Sequence, residues 1–230
     1  MKILVFGASG MVGQGAVRES LLAPDVSEVI VVVRQPLALN HPKLRQLVVD
    51  DLLDLSQHRA HLKDVSGCFF CIGVSSAGMD AAAYKKLTHG LTLAVAHKLL
   101  DINPRMVFVY VSGAGADSTE RGGRMWARVR GQTENAILRL PFANSFILRP
   151  ALIAPLHGAR SKTTSYRWLY TLLAPLLPLL RWIAPGWVLS TQLLGEAMLG
   201  LVRSGARVRV LESSDIRALV EQPQHCLQLT

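Results

Sequence analysis

Three glycines near the N-terminus have the type and spacing of a phosphate-binding loop. Gly7, Gly10 and Gly13 are each three residues apart, between an apolar run and a helical pattern. In such a loop the first glycine permits a tight turn, the second lets the backbone approach a pyrophosphate, and the third allows close packing of helix on strand. The helix N-terminus adds free amides and a positive dipole. The alternative is a glycine-rich turn kept for packing. The predicted pyrophosphate site comprises Gly7, Ser9, Gly10, Met11, Val12 and Gly13.

The residue after the second predicted strand distinguishes between the two nicotinamide dinucleotides. An acidic residue at this place would bind the ribose 2′-hydroxyl of NAD. Here Arg34 follows the strand at residues 28–33, and no acidic residue occurs between Arg34 and Asp50. Because a guanidinium binds a 2′-phosphate through paired hydrogen bonds, the sequence predicts NADP (NADPH) in preference to NAD. The alternative is a solvated arginine on a basic protein.

A contact to the adenine is expected after the third predicted strand. Asp51, followed by Leu52, lies where an aspartate would accept a hydrogen bond from the adenine amino group. Asp50 is the weaker candidate, since an aspartate at this place equally caps a turn or a helix.

Alternating apolar runs and helical patterns in the first 150 residues predict an α/β fold, a Rossmann-type doubly wound parallel sheet. Strands are predicted at residues 2–6, 28–33, 47–49, 67–72, 106–111, 145–148 and 207–211. Helices are predicted at residues 11–22, 56–62, 81–100, 124–138 and 193–202. Within the helix at 81–100 a buried face is predicted at Leu87, Leu91, Val95 and Leu99. Residues 1–230 are expected to form a single domain, to which residues 150–230 contribute a small substrate lobe.

The composition favours a folded protein with an anionic partner. Hydrophobic residues make up 50% of the chain and charged residues 18%, which argues against intrinsic disorder. The net charge is +9, a field that attracts a phosphorylated cofactor or acidic lipids. No nucleic acid is expected, because no zinc-finger, helix-turn-helix or RNA-platform pattern accompanies the arginines. No metal is expected either, because the histidines lack a ligand spacing.

The cysteines and the first residues predict a cytoplasmic protein. Three cysteines cannot form a disulfide framework, and Cys68 and Cys71 lie inside an apolar run, where core packing is the simplest interpretation. The chain becomes glycine-rich too soon after Met1 for a secretory signal peptide.

An apolar stretch at residues 166–189 leaves three interpretations open. It would form the lid of a hydrophobic substrate pocket, a homodimer surface, or a peripheral membrane contact supported by Trp168, Trp182 and Trp187. A transmembrane helix is not expected, because residues 168–180 are too few for a span of about 20 residues.

Five motifs follow one another along the chain: Gly7–Gly13, Phe70–Gly73, Val111–Asp117, Val129–Glu134 and Leu148–Pro150. This ordered set resembles the short-chain dehydrogenase/reductase superfamily, in its extended and atypical branch, and within it the NmrA-like and Tat-interacting oxidoreductase-like proteins. The resemblance implies a nicotinamide site at the ends of strands four to six, with Gly73 beside the cofactor. It also implies a catalytic serine after strand five, which Ser112 matches, and a Tyr-x-x-x-Lys pair on the following helix.

The chain departs from the family at that pair. Trp126 stands at the tyrosine position and Arg130 at the lysine position. An indole N–H does not titrate usefully, so Trp126 cannot relay a proton, whereas Arg130 can still bind the ribose hydroxyls. No tyrosine is placed by the sequence to replace the missing one, Tyr84 included, because it opens a long helix. His157 is either a proton donor or a loop histidine without a role.

Three functions follow as hypotheses. The first is an NADPH-dependent oxidoreductase or epimerase-like enzyme for an apolar, neutral or anionic small molecule (quinone-like or conjugated), with Ser112 or water supplying the proton. The second is a non-catalytic NADPH-sensing module that regulates through protein interactions, which the residues at 126 and 130 favour. The third is a peripheral membrane protein.

Overall fold

The structure, a computed structural model, describes residues 1–159 and 188–221. Its centre is a seven-stranded sheet in the order β3-β2-β1-β4-β5-β6-β9, in which all neighbouring strands are parallel. The strands of this sheet are β1 (Lys2–Phe6), β2 (Glu28–Val33), β3 (Leu44–Val48), β4 (Gly67–Phe70), β5 (Val107–Val111), β6 (Asn144–Arg149) and β9 (Val210–Glu212). A separate parallel pair consists of β7 (Leu152–Ala154) and β8 (Val188–Ser190). The predicted α/β Rossmann-type fold is confirmed.

Helices cover both faces of the sheet, as a doubly wound fold requires. They are α1 (Met11–Leu22), α2 (Arg59–Leu62, entered through a 3₁₀ turn at Ser56–His58), α3 (Ala81–Lys85), α4 (Leu91–Ile102), α5 (Met125–Arg139), α6 (Thr191–Ser204) and α7 (Ser213–Glu221). One core cluster lies between the sheet and α1, α6 and α7, and a second lies between the sheet and α2, α4 and α5. The central strands β1 and β2 are buried on both faces, which explains why their sequences are continuously apolar.

The largest differences from the predicted strands occur at the ends of three strands, of which β3 and β9 are the edge strands of the sheet. β3 begins at Leu44 rather than at residue 47. This edge strand is half exposed, so its apolar and polar residues alternate and it lacks the continuous apolar run that marks the central strands. β4 ends at Phe70 rather than at residue 72, and β9 begins at Val210 rather than at residue 207. The three-residue strands β7 and β8 and the helix α7 are absent from the prediction.

The predicted buried face of the long fourth helix is wrong at its start. A π-helical turn at Lys86–Gly90 joins α3 to α4 and adds one residue to the helical turn. As a result Leu87 is 41% exposed, while its neighbour Thr88 is buried. After the π turn the expected spacing returns, and Val95 and Leu99 are fully buried.

Most of the apolar stretch at 166–189 lies outside the described residues, as do Trp168, Trp182 and Trp187. Its last two residues, Val188 and Leu189, are buried in β8. The lid, dimer and membrane interpretations therefore stay predictions, as does the single-domain organisation with its lobe. Among the helices of residues 1–159 and 188–221, none combines the length and the apolar character that crossing a bilayer requires.

Candidate functional site

A cleft of about 1210 Å³ opens at the carboxyl ends of the central strands, where loops of a parallel sheet converge. Most of the residues predicted to bind the cofactor or act in catalysis line this cleft: Gly7, Ser9, Gly10, Met11, Val12, Arg34, Leu52, Gly73, Ser112 and Arg130. Gly13 and Asp51 do not belong to the lining that the described residues form. Sequence motifs that are far apart along the chain thus line one cleft.

The three glycines of the loop serve different purposes. Gly7 has a φ of +77°, and a Cβ there would lie 2.7 Å from the carbonyl carbon of Cys71. A Cβ on Gly13 would lie 2.1 Å from the carbonyl oxygen of Gly7, so both of these glycines are required by the fold itself. Gly10 has an extended backbone with a φ of −84°, and a Cβ there would meet the carbonyl oxygen of Gly7 at 3.3 Å. The missing side chain of Gly10 therefore opens space mainly towards the cleft.

The first turn of α1 faces the cleft without a capping side chain. Gly10 is the N-cap residue, no side chain of the described residues caps the helix, and the first turn contains no acidic residue. The first amides of a helix lack intrahelical acceptors, and the helix dipole makes this end positive. This end of α1 is therefore suited to an anion such as a pyrophosphate.

Arg34 lies at the outer rim of the cleft, directly after β2. Its side chain is exposed, and no hydrogen bond or ion pair engages it within the described part of the chain. Across this rim, Leu52 lines the cleft. The Oδ1 atom of Asp51 accepts a hydrogen bond from the backbone N–H of Leu53 at 2.9 Å, so Asp51 takes the turn-capping role that the sequence offered for its neighbour. Its contact to adenine stays a prediction.

Ser112 lies at the inner end of the cleft, directly after β5. Its backbone N–H donates to the carbonyl oxygen of Leu148 at 2.8 Å, which fixes the residue against β6. The side chain is 7% exposed, and its Oγ atom is buried without a hydrogen-bond partner among residues 1–159 and 188–221. A buried hydroxyl without a partner costs stability. A polar ligand atom in the cleft would remove that cost.

Trp126 and Arg130 lie one turn apart on α5 and both line the cleft. The indole packs over Gly115, whose Cβ would lie 3.2 Å from the ring and whose φ is +83°. The Nη1 atom of Arg130 lies 3.3 Å from the position of a Cβ on Gly113. The two residues at the positions where the family resemblance implies a Tyr-x-x-x-Lys pair therefore both lie in the cleft.

Tyr84 is the residue of this site that the sequence reasoning missed. It lies on α3, is 1% exposed and lines the cleft, and its hydroxyl oxygen accepts a hydrogen bond from Nε of Arg130 at 3.1 Å. The one feature of the sequence that could have indicated this role is the position of the tyrosine, in the first turn of the helix that follows β4. The π turn that shapes this region has no signature in the periodicity.

The other candidate acids and thiols are less suited to chemistry. Burial raises the pKa of the Tyr110 phenol, which does not line the cleft. Burial also raises the pKa of the Cys71 thiol to about 12 and raises that of Cys68. Both thiols are free and stay protonated near neutral pH. His157 is exposed, contacts Gln192 and lies outside the lining of the cleft.

Curated proteins of similar sequence come from fungi. The chain is 30% identical over 167 residues to protein FMP52, mitochondrial, of Saccharomyces cerevisiae, which covers 71% of this chain and 69% of that protein. It is 30% identical over 156 residues to protein fmp52-1, mitochondrial, of Aspergillus oryzae, covering 65% of each chain. The match thus spans slightly less than two thirds of the Aspergillus protein's length. No protein-family model matches the chain.

The names of these relatives overturn the expected cytoplasmic location. The relatives from Saccharomyces cerevisiae, Aspergillus oryzae and Candida albicans are all named mitochondrial proteins. The prediction was wrong because free cysteines indicate a reducing environment and do not identify a compartment.

Solved structures of similar fold are short-chain dehydrogenases/reductases and related enzymes. Bordetella bronchiseptica WbmF in complex with NAD⁺ superposes with a TM-score of 0.66 and 14% identity, over 99% of this chain and 79% of that chain. The Saccharomyces cerevisiae short-chain dehydrogenase/reductase YIR035C gives 0.66 and 14%, over 93% and 96%. Thermotoga maritima UDP-glucose 4-epimerase gives 0.64 and 13%, over 100% and 84%. At these identities the likeness establishes the fold alone.

Proposed function

The chain belongs to the FMP52 family, and from this premise we propose that it is an NADP-binding enzyme of the short-chain dehydrogenase/reductase type. Its reaction is the NADPH-dependent reduction of an apolar, quinone-like or conjugated small molecule, with an epimerase-like reaction as the variant. The atypical, NmrA-like branch is the proposed subgroup. Activity, substrate and cofactor preference are all parts of this proposal.

The observation that carries the proposal is the buried hydroxyl of Ser112, which has no hydrogen-bond partner among the described residues. It lies in the same cleft as the end of α1, which no described side chain caps. The volume of about 1210 Å³ exceeds that of typical small-ligand sites, which is roughly 300–1,000 Å³. A cleft of this size supports the proposal of a ligand as large as a dinucleotide.

Several residues of the cleft would have a part in this chemistry. When bound, NADPH would supply the hydride. The amides at the start of α1 would hold the pyrophosphate, Arg34 the 2′-phosphate and Arg130 the ribose of the nicotinamide. The Ser112 hydroxyl would donate a hydrogen bond to the oxygen of the substrate that gains charge, and the apolar lining contributed by Trp126 and Ile153 would exclude water.

The proposed preference for NADP depends on Arg34. We expect Arg34→Ala to weaken NADPH binding by about 10–150-fold, because a charge-assisted hydrogen bond contributes roughly 1.5–3 kcal/mol, and to leave NADH binding unchanged. Calorimetric titration of both dinucleotides measures this. Arg45→Ala is the matched control, since Arg45 is an exposed arginine on the neighbouring strand that pairs with Glu28 outside the cleft. Equal weakening of NADPH and NADH by Arg34→Ala would contradict the assignment.

The reductase function is tested by oxidation of NADPH in the presence of a panel of quinones and conjugated carbonyl compounds. We expect turnover with at least one apolar acceptor and a loss of about 100-fold or more in kcat on Ser112→Ala, because a hydrogen-bond donor to the developing charge is removed. Ser145→Ala is the matched control, because Ser145 is also a buried serine with an unpartnered hydroxyl in the described structure but does not line the cleft. Equal rates for the two variants would refute the role of Ser112.

A second candidate function is a non-catalytic NADPH sensor. The observation in its favour is Trp126, whose indole cannot exchange a proton and occupies the place of the family's tyrosine. NADPH binding without turnover over the whole panel, together with a cofactor-dependent change in partner binding, would favour the sensor.

A further inference from the structure

Tyr84 and Arg130 form a pair inside the cleft although 46 residues separate them along the chain. Tyr84 enters from α3, whose first turn is fixed by Asp80, because its carboxylate accepts from the backbone N–H of Ala83 at 2.8 Å. Arg130 enters from α5 on the facing side. The pair is therefore formed by side chains from two different helices.

The direction of the hydrogen bond leaves the phenolic proton available. Nε of Arg130 donates to the hydroxyl oxygen of Tyr84 at 3.1 Å. A guanidinium has no acceptor, so the proton of Tyr84 cannot be used in this contact. Within the described part of the chain no acceptor engages that proton. The cleft is the place where an acceptor can approach, because Tyr84 lines it and is otherwise buried.

The pair combines a phenol and a fixed cation, the same two groups that the family resemblance expects at positions 126 and 130. The cation is present at Arg130, but the phenol comes from the opposite helix, and Trp126 fills the position that it leaves. We propose that Tyr84 is the proton donor of the reduction and that Arg130 stabilises the phenolate that remains. This inference rests on the proposed reductase function and deepens it.

The proposed step balances as follows. The carbonyl carbon of the acceptor gains the hydride that NADPH supplies, and the π pair of its C=O bond moves to the oxygen. That oxygen, also hydrogen-bonded by Ser112, forms a bond to the phenolic proton as the O–H bond of Tyr84 breaks. The dinucleotide is oxidised to NADP⁺, the acceptor is reduced by two electrons, and the phenolate of Tyr84 regains a proton from water.

The test compares Tyr84→Phe with the unmodified protein in turnover and in NADPH binding. We expect kcat to fall by about 10²–10⁴-fold, the usual contribution of a positioned general acid. NADPH affinity by calorimetry should stay within about twofold, because the ring and Arg130 remain. Tyr110→Phe is the matched control, since Tyr110 is another buried tyrosine but lies outside the lining of the cleft, and its turnover should be unchanged.

The outcomes separate the proposals. Unchanged kcat in Tyr84→Phe, with normal turnover in the unmodified protein, would overturn the assignment of Tyr84 alone. Parallel loss of NADPH affinity and turnover would show that Tyr84 only positions Arg130 and would likewise overturn it. Absence of turnover in the unmodified protein would overturn the proposed reductase function and this step with it. Thermal unfolding of each variant verifies that the fold is intact.

Discussion

Arg149→Met is expected to lower the free energy of unfolding by about 3–5 kcal/mol, the usual cost of leaving a buried charge without its partner. Arg149 ends β6, and its Nε atom donates to both carboxylate oxygens of Glu134 on α5, at 3.2 and 3.1 Å. The Nη2 atom of Arg149 donates to Oγ of Ser118 at 2.5 Å, and its Nη1 atom donates to Oε1 of Glu212 at 3.0 Å. Glu134 is 0% exposed, so water cannot replace the guanidinium. Urea unfolding followed by circular dichroism measures the loss.

The exposed pair of Arg203 and Asp25 supplies the control for this prediction. Both side chains are well exposed, and their hydrogen bonds are 2.9 and 2.6 Å long. Because exposed pairs contribute about 0–1 kcal/mol, Arg203→Met should change the unfolding free energy much less than Arg149→Met. The double variant Glu134→Met/Arg149→Met should regain part of the loss, since no buried charge remains. Equal losses for the two single variants would contradict the interpretation.

Gly10→Ala is expected to weaken the binding of NADPH and NADH alike by roughly 5–150-fold, because an added methyl group at a close contact costs about 1–3 kcal/mol. The backbone of Gly10 has a φ of −84° and a ψ of 163°, which any L-residue adopts. The new Cβ would meet the carbonyl oxygen of Gly7 at 3.3 Å and otherwise extend into the cleft. We therefore expect a loss of stability below about 1 kcal/mol beside the large loss of affinity. Calorimetry and thermal unfolding on one preparation measure both.

Gly13→Ala is the matched comparison within the same loop. Its Cβ would lie 2.1 Å from the carbonyl oxygen of Gly7 and 2.9 Å from Cα of Ala8, so the backbone must move. The main effect of Gly13→Ala should therefore be a loss of stability in thermal unfolding rather than a loss of dinucleotide affinity. Gly10→Ala that binds both dinucleotides normally would show that the loop does not contact the pyrophosphate.

The parts of the fold that the sequence predicted correctly depend on local signals. Continuous β-branched runs such as Glu28–Val33 mark strands buried on both faces, and these strands form the centre of the sheet. A Cβ on Gly7 would clash with the backbone that follows β4, and a Cβ on Gly13 would clash with the backbone of the loop itself. The spacing of these glycines in the sequence therefore indicated the loop. Ser112 and Arg130 were assigned from the family resemblance, at the residue after strand five and within the following helix; both line the cleft, and their roles stay predictions.

The parts that the sequence did not predict depend on contacts between distant segments. The π turn at Lys86–Gly90 changes which residues of the helix are buried, and no pattern in the sequence indicates it. The pairing of Tyr84 with Arg130 follows from the packing of two helices, as does the arrangement in which Leu52 rather than Asp51 lines the cleft. Edge strands such as β3 are half exposed and therefore have a weak signal.

The central claim is that this cleft binds a nicotinamide dinucleotide, and calorimetric titration of NADPH, NADH, NADP⁺ and NAD⁺ into the unmodified protein tests it most directly. The account predicts binding of one NADPH per chain, tighter than that of NADH, with NADP⁺ likewise tighter than NAD⁺. If none of the four dinucleotides binds, the glycine loop is only a packing element, and the reductase and sensor functions are both contradicted.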